Sequence, residues 1–334
     1  MANEKKTVLV TGGAGFIGSY LCERLIEDAR VICLDNLLTS DVSNIESLLN
    51  NPDFEFIKCD VSAPIDLESY PELARFQLDV KGIQEIYHLA CPTSAKKFDH
   101  LRIQTLLANS VGMCHVLDLA VKYRSRFLQL STSVVYGPRR PDGSKFLETD
   151  LGIMNHLSPR GCYDEGKRFA ETAAVTYSSV YGLDVRIARV FRTYGPRQRL
   201  NDGEMVPDFV VDAIDGKDLV IYGDEKFSTG LLYVSDAVDG LVRLMRVPKN
   251  PGPVNFGGDI DIPLVEVARQ VITMTNSTSK VVFEPPLLFM TQLGLPDTRK
   301  AVDELGWVPL VRLEDGLKKS VEYAIVTKGR TRNL

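Results

Sequence analysis

The chain lacks the features that would place it among metal, disulfide, membrane or nucleic-acid proteins. Its six cysteines (Cys22, Cys33, Cys59, Cys91, Cys114 and Cys162) are scattered and form no Cys-x-x-Cys pair. With a first strand expected close to Met1 there is no room for a targeting leader, so the thiols are expected to be reduced and cytoplasmic. Only four histidines occur, never at His-x-x-x-His spacing, so no metal is expected. No apolar run approaches the ~20 residues that a membrane span needs. A net charge of −5 gives no basic surface for nucleic acid or an acidic membrane. There is no internal repeat and no low-complexity tract. What remains, 44% hydrophobic and 25% charged residues in 334, is an ordinary globular composition with ample material for a core.

The strongest local signal is near the start. The β-branched run Thr7-Val8-Leu9-Val10-Thr11 leads directly into Gly12-Gly13-Ala14-Gly15-Phe16-Ile17-Gly18 and a helical pattern from Phe16 to Glu27. Glycine at 12 permits a tight turn, at 15 a close backbone approach to a pyrophosphate, and at 18 helix-on-strand packing. The helix N-terminus then offers free N–H groups to phosphate. A second apolar run, Val31-Ile32-Cys33-Leu34, ends in Asp35, near the ~20-residue offset of an acid that binds a ribose 2′-hydroxyl. Such an acid repels a 2′-phosphate, so NAD is expected rather than NADP.

A second signal is Tyr163-Asp164-Glu165-Gly166-Lys167, at the start of a helical segment running to Tyr181. One turn separates Tyr163 from Lys167, which puts both on one helix face. A nearby ammonium favours phenolate over a phenol whose ordinary pKa is ~10, so the pair can move a proton to or from a substrate hydroxyl. Alone, the pair has a bland reading as a solvated helix face.

Strands are expected at Thr7–Gly12, Val31–Asn36, Glu55–Asp60, Glu85–Ala90, Arg126–Thr132 and Asp184–Val190. Helices are expected at Phe16–Glu27, Thr105–Tyr123, Tyr163–Tyr181 and Ser235–Met245. This alternation predicts an α/β fold, a doubly wound parallel Rossmann sheet with a smaller C-terminal substrate-binding lobe. Ligands in such sheets sit beyond the carboxyl ends of the strands, among them Leu89-Ala90 and Ser131-Thr132. The expected division gives 1–190, with 230–250 returning, to the NAD-binding half. It gives 191–229 and 251–334 to the lobe, with a polar tail from Thr327 that frays.

The glycine loop, the Tyr163/Lys167 pair and Ser131-Thr132-Ser133-Val134-Val135-Tyr136-Gly137 together resemble the extended short-chain dehydrogenase/reductases, the NAD-dependent epimerase/dehydratases. Within them the chain is most similar to the UDP-glucuronate decarboxylases, or UDP-xylose synthases. Arg160-Gly161-Cys162-Tyr163-Asp164-Glu165-Gly166-Lys167-Arg168, Thr193-Tyr194-Gly195-Pro196-Arg197, Asn201-Asp202-Gly203, Tyr233-Val234-Ser235-Asp236, Pro296-Asp297 and Leu305-Gly306-Trp307 carry that likeness. The resemblance implies that Tyr163 is the base, Lys167 the ribose anchor and Thr132 the hydroxyl beside the sugar C4 oxygen. It implies that Gly12, Gly15, Phe16, Ile17 and Gly18 cradle a pyrophosphate. Asp35 and Asn36 would hold the adenosine ribose and Asp60 and Val61 the adenine, with Leu89 and Ala90 also at the cofactor. Thr93, Thr132, Arg192 and Arg197 would meet a nucleotide-sugar substrate, and a homodimer would form through the 105–123 and 163–181 helices.

The substrate half departs from the resembled pattern. Val134 stands where the decarboxylases carry Glu, and Arg192 where they carry Asn. Glu204, Thr229 and Gly294 stand at three positions where an arginine is expected. A 4,6-dehydratase is disfavoured by Val134, since its Asp-Glu pair would fall at 133 and 134. A 4-epimerase, which needs no Glu at 134, is the alternative to decarboxylation. A non-catalytic NAD-binding regulator is a third reading, motivated by the lost arginines. Arg192 suits a phosphate or carboxylate, or equally an ion pair with Asp208 or Glu204. Lys96-Lys97 and the apolar Leu287-Leu288-Phe289-Met290 read more readily as a solvated pair and as packing.

Overall fold

The structure, a computed structural model, describes residues 5–93, 98–286 and 292–332; Lys96-Lys97 and Leu287–Met290 lie outside the described residues. The first half runs β1 (Lys6–Thr11), α1 (Phe16–Leu25), β2 (Ala29–Asp35), β3 (Phe54–Lys58), a short α2 (Leu78–Lys81), β4 (Glu85–His88), α3 (Arg102–Asn109), α4 (Val111–Tyr123), β5 (Arg126–Thr132), α5 (Gly161–Tyr181) and β6 (Val185–Val190). These six strands join β11 (Val254–Phe256) in one seven-stranded sheet of order β11-β6-β5-β4-β1-β2-β3. Every pairing in it is parallel. The strand order reverses between β1 and β4, and a crevice opens at such a point. Val8, Leu9, Val10, Val31 and Ile32 are fully buried, as expected where helices cover both faces. The expected Rossmann sheet is therefore present, with each of the six expected strands within a residue or two of its sequence-based bounds and β11 added to them.

The expected helix 105–123 is instead two helices meeting at Ser110, whose backbone (φ −113°, ψ −86°) is not helical. The cause is local. Ser110 Oγ donates to the Leu106 carbonyl (2.7 Å) and Asn109 Nδ2 to the Thr105 carbonyl (2.8 Å). Side-chain donors that bond back to the preceding turn bend helices.

The remainder comprises β7 (Thr193–Tyr194), α6 (Met205–Ile214), β8 (Leu219–Tyr222), β9 (Ser228–Thr229), β10 (Leu232–Tyr233), α7 (Val234–Arg246), β12 (Ile262–Pro263), α8 (Leu264–Met274), β13 (Val281–Glu284), α9 (Arg299–Leu305) and α10 (Leu313–Arg332). A separate core of Val206, Phe209, Val210, Leu219, Val267 and Leu317 holds α6, α8 and α10 together. Within the range 251–334 assigned to the lobe from sequence, β11 pairs with β6, and Ala301 and Trp307 pack in the core of the large sheet.

Two of the sequence motifs hold each other. Asp236 Oδ2 accepts from Leu310 N and Val311 N (3.0 and 2.9 Å), while Trp307 Nε1 donates to the Asp236 carbonyl (2.9 Å). Trp307 also packs edge-on against Phe256 of β11 (5.0 Å). Their work is architectural. Among the described residues no helix is long and apolar enough to cross a membrane, and no cluster of His, Cys, Asp or Glu is arranged for a metal.

Candidate active site

A cavity of about 630 Å³ opens at the carboxyl ends of β1, β2 and β4. Gly12, Gly15, Phe16, Ile17, Gly18, Asp35, Asn36, Asp60, Val61, Leu89 and Ala90 all line it, together with Thr93 and Arg197. Gly12 has φ +73°, and a Cβ there would stand 2.8 Å from Ala90 N. A Cβ on Gly18 would stand 2.1 Å from the Gly12 carbonyl. No acid occupies the first turn of α1, so its N–H groups are open to an anion.

Asp35 is fixed in place at the end of β2. Its Oδ2 accepts from Ala14 N (3.1 Å), and Oδ1 accepts from Leu37 N (2.9 Å) and Ser40 Oγ (2.6 Å). Asn36 Nδ2 donates to Asp60 Oδ2 (3.1 Å), tying two expected contacts into one unit. Burial works to raise the Asp60 carboxyl, but hydrogen bonds from Ser62 and Asn36 hold it below its usual range. A glycine-rich loop, open helix N–H groups and a buried acid at the β2 terminus fit NAD.

The rest of the wall was not legible in the sequence. Gln198 to Asp202 and Glu204 line it from the lobe, and Tyr323, Thr327 and Lys328 from α10. The tail expected to fray at Thr327 is helical to Arg332, and Lys328 Nζ donates to Asp215 Oδ1 (2.5 Å). Arg197, expected on substrate, turns to α1. Its guanidinium donates to Glu23 Oε1 (2.6 Å) and Ser19 Oγ (3.4 Å) and lies 4.5 Å over the Tyr20 ring.

Thr132, Tyr163 and Lys167 are not on the cavity wall but adjoin it through Leu130 and Cys91, which are; Arg192 is not on the wall either. Thr132 ends β5, where its hydroxyl caps the following turn by accepting from Val134 N (3.4 Å). It also faces the Tyr163 phenol. Burial, and then Cys91, push that phenol well above its ordinary range; the Thr132 hydroxyl and the Arg160 guanidinium pull the other way. Lys167 is buried and its Nζ donates to the Leu130 carbonyl (3.0 Å). The ammonium is thus anchored on β5, and within the protein alone the phenol stays protonated.

Behind the trio lies a half-buried pair that no motif announced. Glu171 of α5 accepts from Arg189 of β6 (3.0 and 2.7 Å) and from Ser131 Oγ (2.5 Å). It pins α5, and so Tyr163, to the sheet. The position of Val134 is buried, and at Gly294 the Phe146 ring would stand 2.5 Å from a Cβ. An arginine at 294 has no room here.

His88, at the end of β4, is buried beneath this site, with its Nδ1 2.7 Å from Thr11 Oγ1. Burial, helped by the Lys167 charge, lowers its pKa from 6.5 to about 3. Between those two values the unfolded chain binds the proton and the folded one does not. Stability is therefore fully present above 6.5 and lost as pH falls, by at most about 1.4 kcal/mol per pH unit. Urea melts at pH 7, 6 and 5 are expected to show this slope and to show a flatter one for His88→Gln.

The family model for the NAD dependent epimerase/dehydratase family matches residues 8–257. The chain is 38% identical over 321 residues to UDP-glucuronic acid decarboxylase 1 of Xenopus tropicalis, covering 96% of this chain and 72% of that one. It is 40% identical over 316 residues to UDP-glucuronic acid decarboxylase 4 of Arabidopsis thaliana, covering 94% and 68%. Among solved structures, UDP-glucuronic acid 4-epimerase from Bacillus cereus, in complex with UDP-glucuronic acid and NAD, superposes with a TM-score of 0.83. The identity there is 26%, covering 96% of this chain and 99% of that one.

Proposed function

We propose that this chain, which belongs to the NAD dependent epimerase/dehydratase family, converts UDP-glucuronate to UDP-xylose and carbon dioxide by transient oxidation at the sugar C4. It is an NAD-dependent enzyme. The observation that carries the substrate is the likeness to decarboxylases over nearly the whole chain, at 36–40% identity. What supports the chemistry is Thr132 facing Tyr163, with Lys167 anchored one turn along the same helix beside a cavity that fits NAD.

The chemistry that NAD supplies when bound is reversible storage of the C4 hydride, so the net reaction consumes no oxidant. Tyr163 takes the proton of the C4 hydroxyl, and Thr132 orients that hydroxyl. Lys167 lies one turn from Tyr163 on the same helix, and the positive ring that bound NAD+ would add to it offsets the burial that opposes phenolate. The C4 ketone is β to the uronate carboxylate, so carbon dioxide leaves and an enolate remains to be protonated. Tyr163 then returns its proton to the C4 oxygen.

Val134 favours the 4-epimerase as the second reading, because an apolar side chain there can neither give nor take a proton. Purified protein incubated with UDP-glucuronate separates the two. UDP-xylose with carbon dioxide is expected, whereas UDP-galacturonate without carbon dioxide would replace decarboxylation by epimerisation. Turnover of neither kind would overturn both.

The proposal keeps 1–190 and 230–250 as the NAD half and the lobe as the sugar-nucleotide half, with β11 counted in the sheet. Six free thiols suit a reducing, cytoplasmic setting. Ile103, Leu106, Phe169 and Val175 are exposed on α3 and α5, which supports a homodimer paired through these helices. Light scattering is expected to give twice the 37.1 kDa chain mass, and Phe169→Lys to shift it toward the monomer.

A further inference from the structure

Arg197 stands on the cavity wall, yet its guanidinium is held by three residues of α1. Nη2 donates to Glu23 Oε1 (2.6 Å), Nη1 donates to Ser19 Oγ (3.4 Å), and the guanidinium carbon lies 4.5 Å from the Tyr20 ring centroid. Ser19 and Glu23 are one turn apart, so the contacts share one face of the helix. Tyr20 in turn meets the Phe16 ring edge-on at 6.4 Å, and Phe16, the first residue of α1, lines the cavity. Ser19, Tyr20 and Glu23 themselves do not line it. One helix therefore offers its first turn to the cofactor and the turns behind it to a cation from the lobe.

The backbone at Arg197 adds a second observation. Its φ is +66°, a left-handed conformation that residues other than glycine rarely adopt. Residues 198–202 follow it directly along the wall, so the chain turns onto the cavity at a strained residue. Strain of this kind persists only where the surroundings hold it. Here the hold is the grip of the Arg197 side chain on α1. As a support of the fold that grip is modest, because the Arg197 and Glu23 side chains are 22% and 32% exposed and such pairs contribute little to stability. Its place is what matters, since it joins the two walls between which a nucleotide would lie.

We propose that Arg197 is a clasp between α1 and the lobe that slows the release of NAD. Glu23 and Tyr20, which are off the wall, are positioning residues that act through it. The inference goes beyond the proposed reaction and needs only that the cavity holds the cofactor.

Stopped-flow release of NADH tests it. Protein loaded with NADH is mixed with excess NAD+, and the loss of bound-NADH fluorescence gives the release rate. Glu23→Gln, which keeps an acceptor for Ser47 Oγ (3.2 Å), is expected to release NADH about threefold faster, and Tyr20→Leu about as much. Tyr20→Phe retains the ring face and is expected to stay at the wild-type rate. Arg197→Gly loses the whole clasp and is expected to release about tenfold faster. Glycine also accepts the left-handed backbone, so the urea midpoint of NAD-free Arg197→Gly is expected to stay near the wild-type value.

Adding Glu23→Gln to Arg197→Gly is expected to change the release rate no further, because Glu23 acts through Arg197. Additive effects would overturn that route. Lower midpoints with unchanged release would reduce the contact to a support of the fold and overturn the proposal. Slower release by Glu23→Gln would also overturn it, since Glu23 would then be withholding Arg197 from the pyrophosphate. The Glu23 and Tyr20 variants carry the test if Arg197→Gly does not fold. Failure of UDP-glucuronate to react would sink the proposed reaction and leave this measurement untouched.

Discussion

Tyr163→Phe is expected to lower turnover of UDP-glucuronate by about 10²–10⁴-fold while the protein keeps its NAD. The substitution removes one oxygen atom and leaves the ring, the helix face and the Lys167 anchor on Leu130 in place. That oxygen faces Thr132, and position 134, where the resembled decarboxylases carry a carboxylate, is a buried valine that cannot substitute. Each tenfold loss corresponds to about 1.4 kcal/mol of transition-state stabilisation, so the expected range is roughly 3–5 kcal/mol. A single-turnover assay with bound NAD read by absorbance separates chemistry from binding. Undiminished turnover would remove Tyr163 from the proton path. Lost turnover with undiminished biological activity would instead favour a non-catalytic NAD-binding role.

Gly18→Ala is expected to damage folding and NAD binding together. A Cβ at 18 would stand 2.1 Å from the Gly12 carbonyl and 2.8 Å from Gly13 Cα, both main-chain atoms that cannot swing aside. The loop must shift away from α1, and overpacking of this kind costs about 1–3 kcal/mol. The same shift displaces the Gly15 N–H, which Gly12 O accepts at 3.1 Å, and with it the start of α1. Urea midpoint and NAD affinity should fall in parallel. A fall in stability with NAD affinity intact would show that the loop's shape is not what holds the cofactor.

Much of the cofactor half was legible because its requirements are local. Gly12, Gly15 and Gly18 answer steric needs within seven residues, and Asp35 sits at the end of the strand it belongs to. All eleven residues expected to bind only the cofactor line one cavity. The break at Ser110 was not legible, because it depends on where two hydroxyl and amide side chains turn. The partners of Arg197 were not legible for a related reason. Its motif marks it as a conspicuous cation, yet its partners, Glu23, Ser19 and Tyr20, lie far away in sequence on α1. Arg189 with Glu171, and Asp236 with Trp307, escape local reading in the same way, since each pair joins elements that only the folded sheet brings together.

The wall contributed by α10 bears on the order in which the protein becomes competent. A nascent chain released as far as Phe256 has already made every strand of the large sheet. Tyr323, Thr327 and Lys328 must still emerge before the cavity is complete, and Lys328 must find Asp215. Domains fold as units during synthesis, at ~5–20 residues per second, so the sheet precedes its finished pocket by seconds. Ligand binding stabilises only what can bind it. For those seconds the sheet stands on its own packing, and stabilisation by the nucleotide arrives only once α10 has emerged.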